Sequence, residues 1–185
     1  MKKFLSLILG VVLLFSLVGC GEKDVDKNSF ESAKEYVDGV KSEREQKEEK
    51  ERKQFESNKT CISEEVSVSE CTLKLKEYSI VDSTFYEDIK SIAITFDYTN
   101  SGETDNQFCN FINGYIQPTL NLYQDGVKLE TDALSKLIKG HGTIIKPGAT
   151  TEVIYVFALQ NESSDIEVEL KHYDRESSTC TLKLN

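Results

Sequence analysis

The run Ile89-Lys-Ser-Ile-Ala-Ile-Thr-Phe-Asp-Tyr98 decides the fold, because its apolar residues recur with a period of two. In an extended strand this alternation puts four apolar side chains on one face. They are Ile92, Ile94, Phe96 and Tyr98. β-Branched and aromatic residues are enriched in half-buried strands. The run therefore predicts a strand with one face in a hydrophobic core.

Similar runs occur on both sides of this strand. Thr72–Lys76 alternates, Thr150–Leu159 is rich in β-branched and aromatic residues, and Asp165–Leu170 alternates again. Between Lys76 and Thr150 the segment Thr131–Lys139 has helical spacing, but nine residues make a marginal helix, so we expect a loop or a single helical turn.

Turn signals separate the predicted strands. Asn100-Ser-Gly102 predicts a turn, and Asp125-Gly126 is the two-residue signal of a β-hairpin. Lys146-Pro-Gly-Ala149 has the proline and glycine that a type II turn requires. Seven or eight short strands without a long amphipathic helix among them predict an all-β fold, an antiparallel β-sandwich over residues 60–185.

The segment before the strands is a charged linker. Residues 22–59 contain twelve acidic and ten basic side chains and few apolar ones. Within Glu43–Lys53, a glutamate precedes a basic residue by four positions three times, which favours a helix. A coiled coil is the alternative, although no heptad runs for three repeats. We expect a stalk that is partly helical and partly disordered.

The N-terminus predicts export and lipidation. Lys2 and Lys3 precede the uncharged run Phe4–Val18, which is typical of a secretory signal. The sequence Leu17-Val-Gly-Cys20 resembles the lipobox of bacterial lipoproteins, in which the cysteine is acylated and becomes the first residue. The resemblance implies a signal peptide at 1–19, a lipidated Cys20 with its linker at 20–59, and a domain at 60–185. An uncleaved anchor is the alternative.

The strand and turn motifs resemble an immunoglobulin-like domain of Gram-positive lipoproteins. The motifs are Tyr98-Thr-Asn100, Tyr123-Gln-Asp-Gly-Val-Lys-Leu-Glu130 and Ile145-Lys-Pro-Gly-Ala-Thr150, in this order. The resemblance covers roughly residues 62–172. It implies an immunoglobulin-like sandwich displayed on the outer face of the cell membrane, with no assigned chemistry and no functional residues to transfer.

Four cysteines remain besides Cys20, and an even number in an exported domain suggests two disulfides. Cys71-Thr-Leu-Lys-Leu75 recurs as Cys180-Thr-Leu-Lys-Leu184. Two similar strands could lie side by side in parallel, which favours Cys71–Cys180 with Cys61–Cys109. The alternative is Cys61–Cys71 with Cys109–Cys180.

No motif predicts catalysis. The formal charge of −10 argues against nucleic-acid binding. His141 lies in a glycine-flanked loop without an accompanying metal-binding or triad motif, and the acidic residues follow no calcium-loop pattern. We therefore expect neither an enzyme, nor a metal site, nor a cofactor.

Aromatic residues in a predicted loop are the candidates for partner binding. They are Phe108, Phe111 and Tyr115. The leading hypothesis is a membrane-anchored surface lipoprotein whose domain binds an envelope protein, a peptide or a polysaccharide. The alternative is an inhibitor or accessory subunit of a secreted enzyme or an envelope transport system.

Overall fold

The computed structural model describes residues 27–84, 88–107, 119–172 and 176–184. In these ranges one helix, α1 (Lys27–Ser57), precedes eleven strands. The strands are β1 (Thr60–Cys61), β2 (Glu65–Val68), β3 (Cys71–Asp82), β4 (Lys90–Asn100), β5 (Asn106–Gln107), β6 (Thr119–Gln124), β7 (Val127–Lys128), β8 (Ile144–Ile145), β9 (Thr150–Ala158), β10 (Ile166–His172) and β11 (Glu176–Leu182). The predicted all-β fold is confirmed, and the segment before it, expected to be partly helical and partly disordered, is helical over Lys27–Ser57.

Two antiparallel sheets enclose the core. The five-stranded sheet has the order β1-β3-β4-β9, with β2 also paired to β3. The four-stranded sheet has the order β11-β10-β6-β7, and β5 pairs with β8 separately. Apolar side chains of both larger sheets form one buried cluster, which includes Phe96, Tyr98, Tyr155, Leu122 and Val168. This arrangement is the antiparallel β-sandwich that the alternating runs predicted.

Strand β4 is buried on both faces. Its four predicted core residues are all fully buried. Ala93 and Thr95, which point the other way, are buried as well. A second apolar cluster covers this outer face: Phe55 of α1 lies there with Val81, Ala93 and Val156.

The turns have the predicted geometry. Asp125 and Gly126 both have positive φ, 51° and 77°, as a type I′ hairpin requires. Gly148 has a φ of 76°, and the Ala149 amide donates to the Lys146 carbonyl at 3.0 Å. Residues 131–139 form turns and isolated bridges to β9 instead of a helix, so the expected loop is confirmed.

The chain divides into two compact units, Met1–Ser42 and Glu43–Asn185. The boundary falls inside α1, so its second half belongs to the same unit as the strands. That half was predicted to be part of the linker. In the first unit, α1 exposes Tyr36, Val37 and Val40. Within the described residues, no helix is both long and apolar enough to cross a lipid bilayer.

Ion pairs between side chains of α1 lie on its exposed face. Glu49 pairs with Lys53 at 3.5 Å, as predicted, but Arg52 pairs with Glu49 at 2.7 Å and not with Glu48. Glu48 instead accepts from Arg44, four residues earlier, at 2.9 Å. Such exposed pairs contribute only a few tenths of a kcal/mol each.

Candidate functional site

Several residues singled out in the sequence lie outside the described residues. They are Cys20, Phe108, Cys109, Phe111 and Tyr115. Their roles in lipidation and partner binding stay predictions. The described residues that bear on function are three cysteines, a buried polar cluster and one face of the four-stranded sheet.

Among the described residues, Cys61, Cys71 and Cys180 are free thiols, so no Cys71–Cys180 disulfide is present there. The predicted pairings that include Cys109 lie outside the described residues. Cys61 lies opposite Glu77 in β3, whereas Cys71 begins that strand. Glu77 lies six residue steps along the strand from Cys71, or about 20 Å. A disulfide needs Cα atoms within about 7 Å. The Cys61–Cys71 alternative is therefore wrong.

The parallel pairing expected for the two repeated segments is also wrong. The first forms the start of β3, in the five-stranded sheet, and Cys180 lies in β11, in the other sheet. There Cys180 faces Val168 of β10 in an antiparallel ladder. Local sequence similarity gave both segments the same strand pattern but does not determine their neighbours.

A buried polar cluster lies under the second half of α1. We call it the Glu51–Asp132 cluster. It contains one glutamate of α1, serine and threonine side chains from the end of β3 and the start of β4, and two residues of the loop between β7 and β8. Its members are Glu51, Ser83, Thr84, Ser91, Asp132 and Ser135.

Asp132 is the best-satisfied acid in this cluster. It is fully buried. Its Oδ2 accepts hydrogen bonds from the Ser83 hydroxyl at 2.7 Å, the Ser91 hydroxyl at 3.0 Å and the Thr84 amide at 3.2 Å. Its Oδ1 is buried and has no hydrogen-bond partner among the described residues. The carboxylate is thus held firmly by one oxygen and left unsatisfied at the other.

Glu51 accepts hydrogen bonds from side-chain hydroxyls and from the Lys136 backbone amide. The Ser135 hydroxyl donates to its Oε1 at 2.5 Å, whereas its Oε2 is buried without a well-aligned donor among the described residues. Burial raises the pKa of Glu51, and the negative charge of Asp132 raises it further. The hydrogen bonds from Ser135, Thr84 and Lys136 oppose this rise in pKa. Glu51 therefore takes up a proton more readily than an exposed glutamate does.

An exposed ion-pair group holds the next turn of the helix. Asp82 at the end of β3 accepts from Lys50 of α1 at 2.5 Å and from Lys90 of β4 at 2.6 Å. Gln54 donates to the same carboxylate at 3.1 Å. The two lysines hold the pKa of Asp82 well below its usual range. Together with buried Phe55, these contacts fasten the helix to the five-stranded sheet.

The outward side chains of β6, β10 and β11 form a polar surface, which we call the Tyr123–Glu169 face. Its members, defined by cross-strand register, are Asn121, which is buried there, and Tyr123, Glu167, Glu169, Thr179 and Thr181. The Asn121 amide donates to Glu169 Oε2 at 2.9 Å, and the Tyr123 hydroxyl donates to the same oxygen at 3.3 Å. Partial burial, with Glu169 nearby, raises the pKa of Tyr123, so it stays a phenol donor.

His141 contacts Tyr155 of β9. Its Nδ1 lies 3.1 Å from the Tyr155 hydroxyl, and the two rings meet edge to face. Within the described ranges, no group of three His, Cys, Asp or Glu side chains is placed to hold a metal ion. These contacts match the loop histidine expected from the sequence.

The Glu51–Asp132 cluster was missed in the sequence. Glu51 lies in a run of alternating charges that reads as a solvated helix surface. One signal was available: Phe55 is the only aromatic residue in that half of the helix, and a residue four positions earlier shares its face. That signal marks the buried side of the helix but says nothing of Asp132.

Comparisons with known proteins agree with the fold. A family model described as a domain of unknown function (DUF5067) matches residues 41–172. A solved Bacillus subtilis structure, provisionally described as a lipoprotein, is 15% identical with a TM-score of 0.52, covering 66% of this chain and 39% of that chain. This chain thus corresponds to well under half of that protein.

Two further structures are similar. A Staphylococcus aureus protein with the same provisional description is 19% identical with a TM-score of 0.50, covering 69% of this chain and 92% of that one. A β-sandwich protein of Clostridium difficile is 14% identical with a TM-score of 0.43, covering 66% and 91%. Among curated proteins, none matches this chain significantly.

Proposed function

Because the chain belongs to the DUF5067 family, a family of unknown function whose model starts within α1, we propose a function from the residues themselves. The protein is a lipid-anchored lipoprotein at the outer face of the cell membrane. Its domain is a non-enzymatic binding module, and its ligand is a neutral envelope polysaccharide. The Tyr123–Glu169 face is the observation that carries the binding proposal.

The anchor is supported by the N-terminal sequence. The Lys2–Lys3 pair, the apolar run and the box ending at Cys20 have the order of a lipoprotein signal. Each buried methylene contributes about 0.8 kcal/mol to membrane binding, so two or more acyl chains hold a protein firmly. Two solved structures of the same fold are provisionally described as lipoproteins, which is consistent with this anchor.

The polar face has the chemistry that sugar rings require. Sugar hydroxyls both donate and accept hydrogen bonds, so they fit a surface that offers carboxylates and threonine hydroxyls. Glu167, Thr179 and Thr181 are exposed there, and Tyr123 and Glu169 are half-buried. The Tyr123 ring adds an apolar patch with a polar end.

The charge of the face selects among polysaccharides. Glu167 and Glu169 project from β10 between Tyr123 and the two threonines. Like charges across an interface disfavour binding, so an anionic polymer is repelled. A neutral or amine-bearing chain meets no such penalty. We therefore expect selectivity for neutral chains over anionic ones.

The binding experiment uses the full chain and purified envelope polysaccharide fractions, neutral and anionic. Glu169→Gln and Tyr123→Ala should each weaken binding to the neutral fraction by about tenfold, equivalent to about 1.4 kcal/mol. Glu65→Gln, an exposed change on β2 of the other sheet, is the matched control and should bind like the wild type. Equal affinities for all four proteins, or retention on the anionic fraction alone, would rule out the proposed ligand.

The lipid anchor is tested in a separate experiment, in cells that produce the protein. A Cys20→Ser variant should be released from the membrane fraction and should not incorporate an alkyne-bearing fatty acid, whereas the wild type should. A labelled Cys20→Ser protein would contradict the assignment of Cys20. This result is independent of the polysaccharide result.

A further inference from the structure

Two buried carboxylate oxygen atoms of the Glu51–Asp132 cluster have no hydrogen-bond partner within the part of the chain that the structure describes. They are Glu51 Oε2 and Asp132 Oδ1. The parent carboxylates are almost entirely buried, with Glu51 2% exposed and Asp132 0%. A buried acceptor without a donor costs about 1–3 kcal/mol, and more when it is charged. Two such oxygens in one cluster call for a positive charge or a further donor.

No basic side chain supplies that charge among the described residues. The lysines nearest along the helix and sheet, Lys50 and Lys90, both pair with Asp82. Lys136 contributes only its backbone amide to Glu51, and Asp132 is the charged group whose field acts on Glu51. Two carboxylates buried this way cannot both carry a full charge without a large cost.

A single proton resolves the arrangement. On Glu51 Oε2 it turns one unsatisfied acceptor into a donor and removes one of two buried negative charges. We place the proton on Glu51, because this side chain is almost entirely buried, its Oε2 has no well-aligned donor among the described residues, and burial raises the pKa of Glu51.

A metal ion fits the cluster less well. Calcium takes six to eight oxygen ligands. The cluster offers two unused carboxylate oxygens, both buried. Two oxygens leave most of the coordination positions of a calcium ion without a protein ligand. The proton needs no further ligand.

We propose that the Glu51–Asp132 pair holds one proton when the helix segment Glu43–Ser57 is docked on the sandwich, and that docking therefore weakens as pH rises. When the segment undocks, the Glu51 carboxyl group becomes exposed to water and its pKa returns to the ordinary value of 4.5. The raised pKa of docked Glu51 means that its proton stabilises docking fully below pH 4.5. That contribution is lost as pH rises through the pKa of the docked state.

Asp82 acts in the opposite direction. Because docking lowers the pKa of Asp82, its ionised carboxylate stabilises the docked helix fully above the ordinary pKa of 3.8. That stabilisation is lost as pH falls from 3.8 through the lowered pKa. The two acids together make the docked helix most stable in mild acid. The device does not depend on which ligand the sandwich binds.

The test measures docking of the full chain between about pH 5 and pH 8, from amide hydrogen-exchange protection in the segment relative to intrinsic exchange rates. One bound proton weakens docking by up to about tenfold per pH unit in this window. Glu51→Gln keeps the shape and a donor but cannot titrate, so its docking should not change with pH. Glu45→Gln, an exposed change on the same helix, should follow the wild type.

A ¹³C NMR titration of the Glu51 carboxyl in the wild type gives a second readout that needs no variant. A titration midpoint at the ordinary glutamate value would overturn the proposal. So would docking in the wild type that does not change over this pH range. Protection that rises with added Na⁺ or Ca²⁺ at constant pH would show that the pair holds a metal ion instead.

Discussion

Replacing Phe55 with alanine should separate the helix from the sandwich without destroying the sandwich. Phe55 is 4% exposed and packs in the smaller apolar cluster with Val81, Ala93 and Val156. That cluster lies on the outer face of the five-stranded sheet, whereas the main core lies between the sheets. The Lys59 ammonium also lies 4.8 Å from the ring centre.

The magnitude follows from this burial. Phe→Ala substitutions in cores cost about 3–5 kcal/mol. We expect about 3 kcal/mol here, because the cluster lies at the edge of the fold and undocking can relieve the cavity. With a urea m-value of roughly 1–3 kcal/mol/M, the midpoint should fall by about 1–3 M.

The assay is urea unfolding of the full chain, followed by far-UV circular dichroism. Tyr36→Ala, which removes an exposed aromatic residue from the first half of α1, is the matched control and should leave the midpoint unchanged. Equal midpoints for Phe55→Ala and Tyr36→Ala would refute the inference that helix packing stabilises the domain.

Two further predictions concern acid stability and thiol reactivity. Lys50 and Lys90 lower the pKa of Asp82, so the contribution of Asp82 to stability is present above pH 3.8 and is lost as pH falls. In a plot of Tm against pH, Asp82→Asn should therefore flatten the decline on the acid side. An unchanged decline would contradict this. Exposed Cys61 should react with iodoacetamide in the native protein, whereas burial raises the pKa of Cys71 to about 12 and should protect it. Peptide mass spectrometry distinguishes the two, and equal labelling would show that Cys71 is not buried.

Local features were predictable because their causes are local. The alternation in β4 required a strand with one apolar face, and Asp125-Gly126 required a turn with positive φ. Both depend on steric limits and side-chain period within a few residues. The charge pattern of Glu43–Lys53 likewise predicted helix.

Which strands lie next to one another could not be predicted from local sequence patterns. The two repeated Cys-Thr-Leu-Lys-Leu segments were expected in one sheet and lie in different ones, since strand pairing depends on the whole chain's topology. The same holds for Cys61 and Cys71: β1 places Cys61 opposite Glu77, far along β3 from Cys71 at its start.

The sequence alone determined the class of fold and its turns, and it favoured helix in the charged segment ahead of the strands, because periodicity, propensity and turn sterics act over short distances. Only the tertiary structure decided that the helix covers the outer face of β4 and buries Glu51 against Asp132. Glu51 is one acidic residue among many in a charged run. Its environment is set by side chains more than thirty residues away, and burial there, not residue type, sets its protonation.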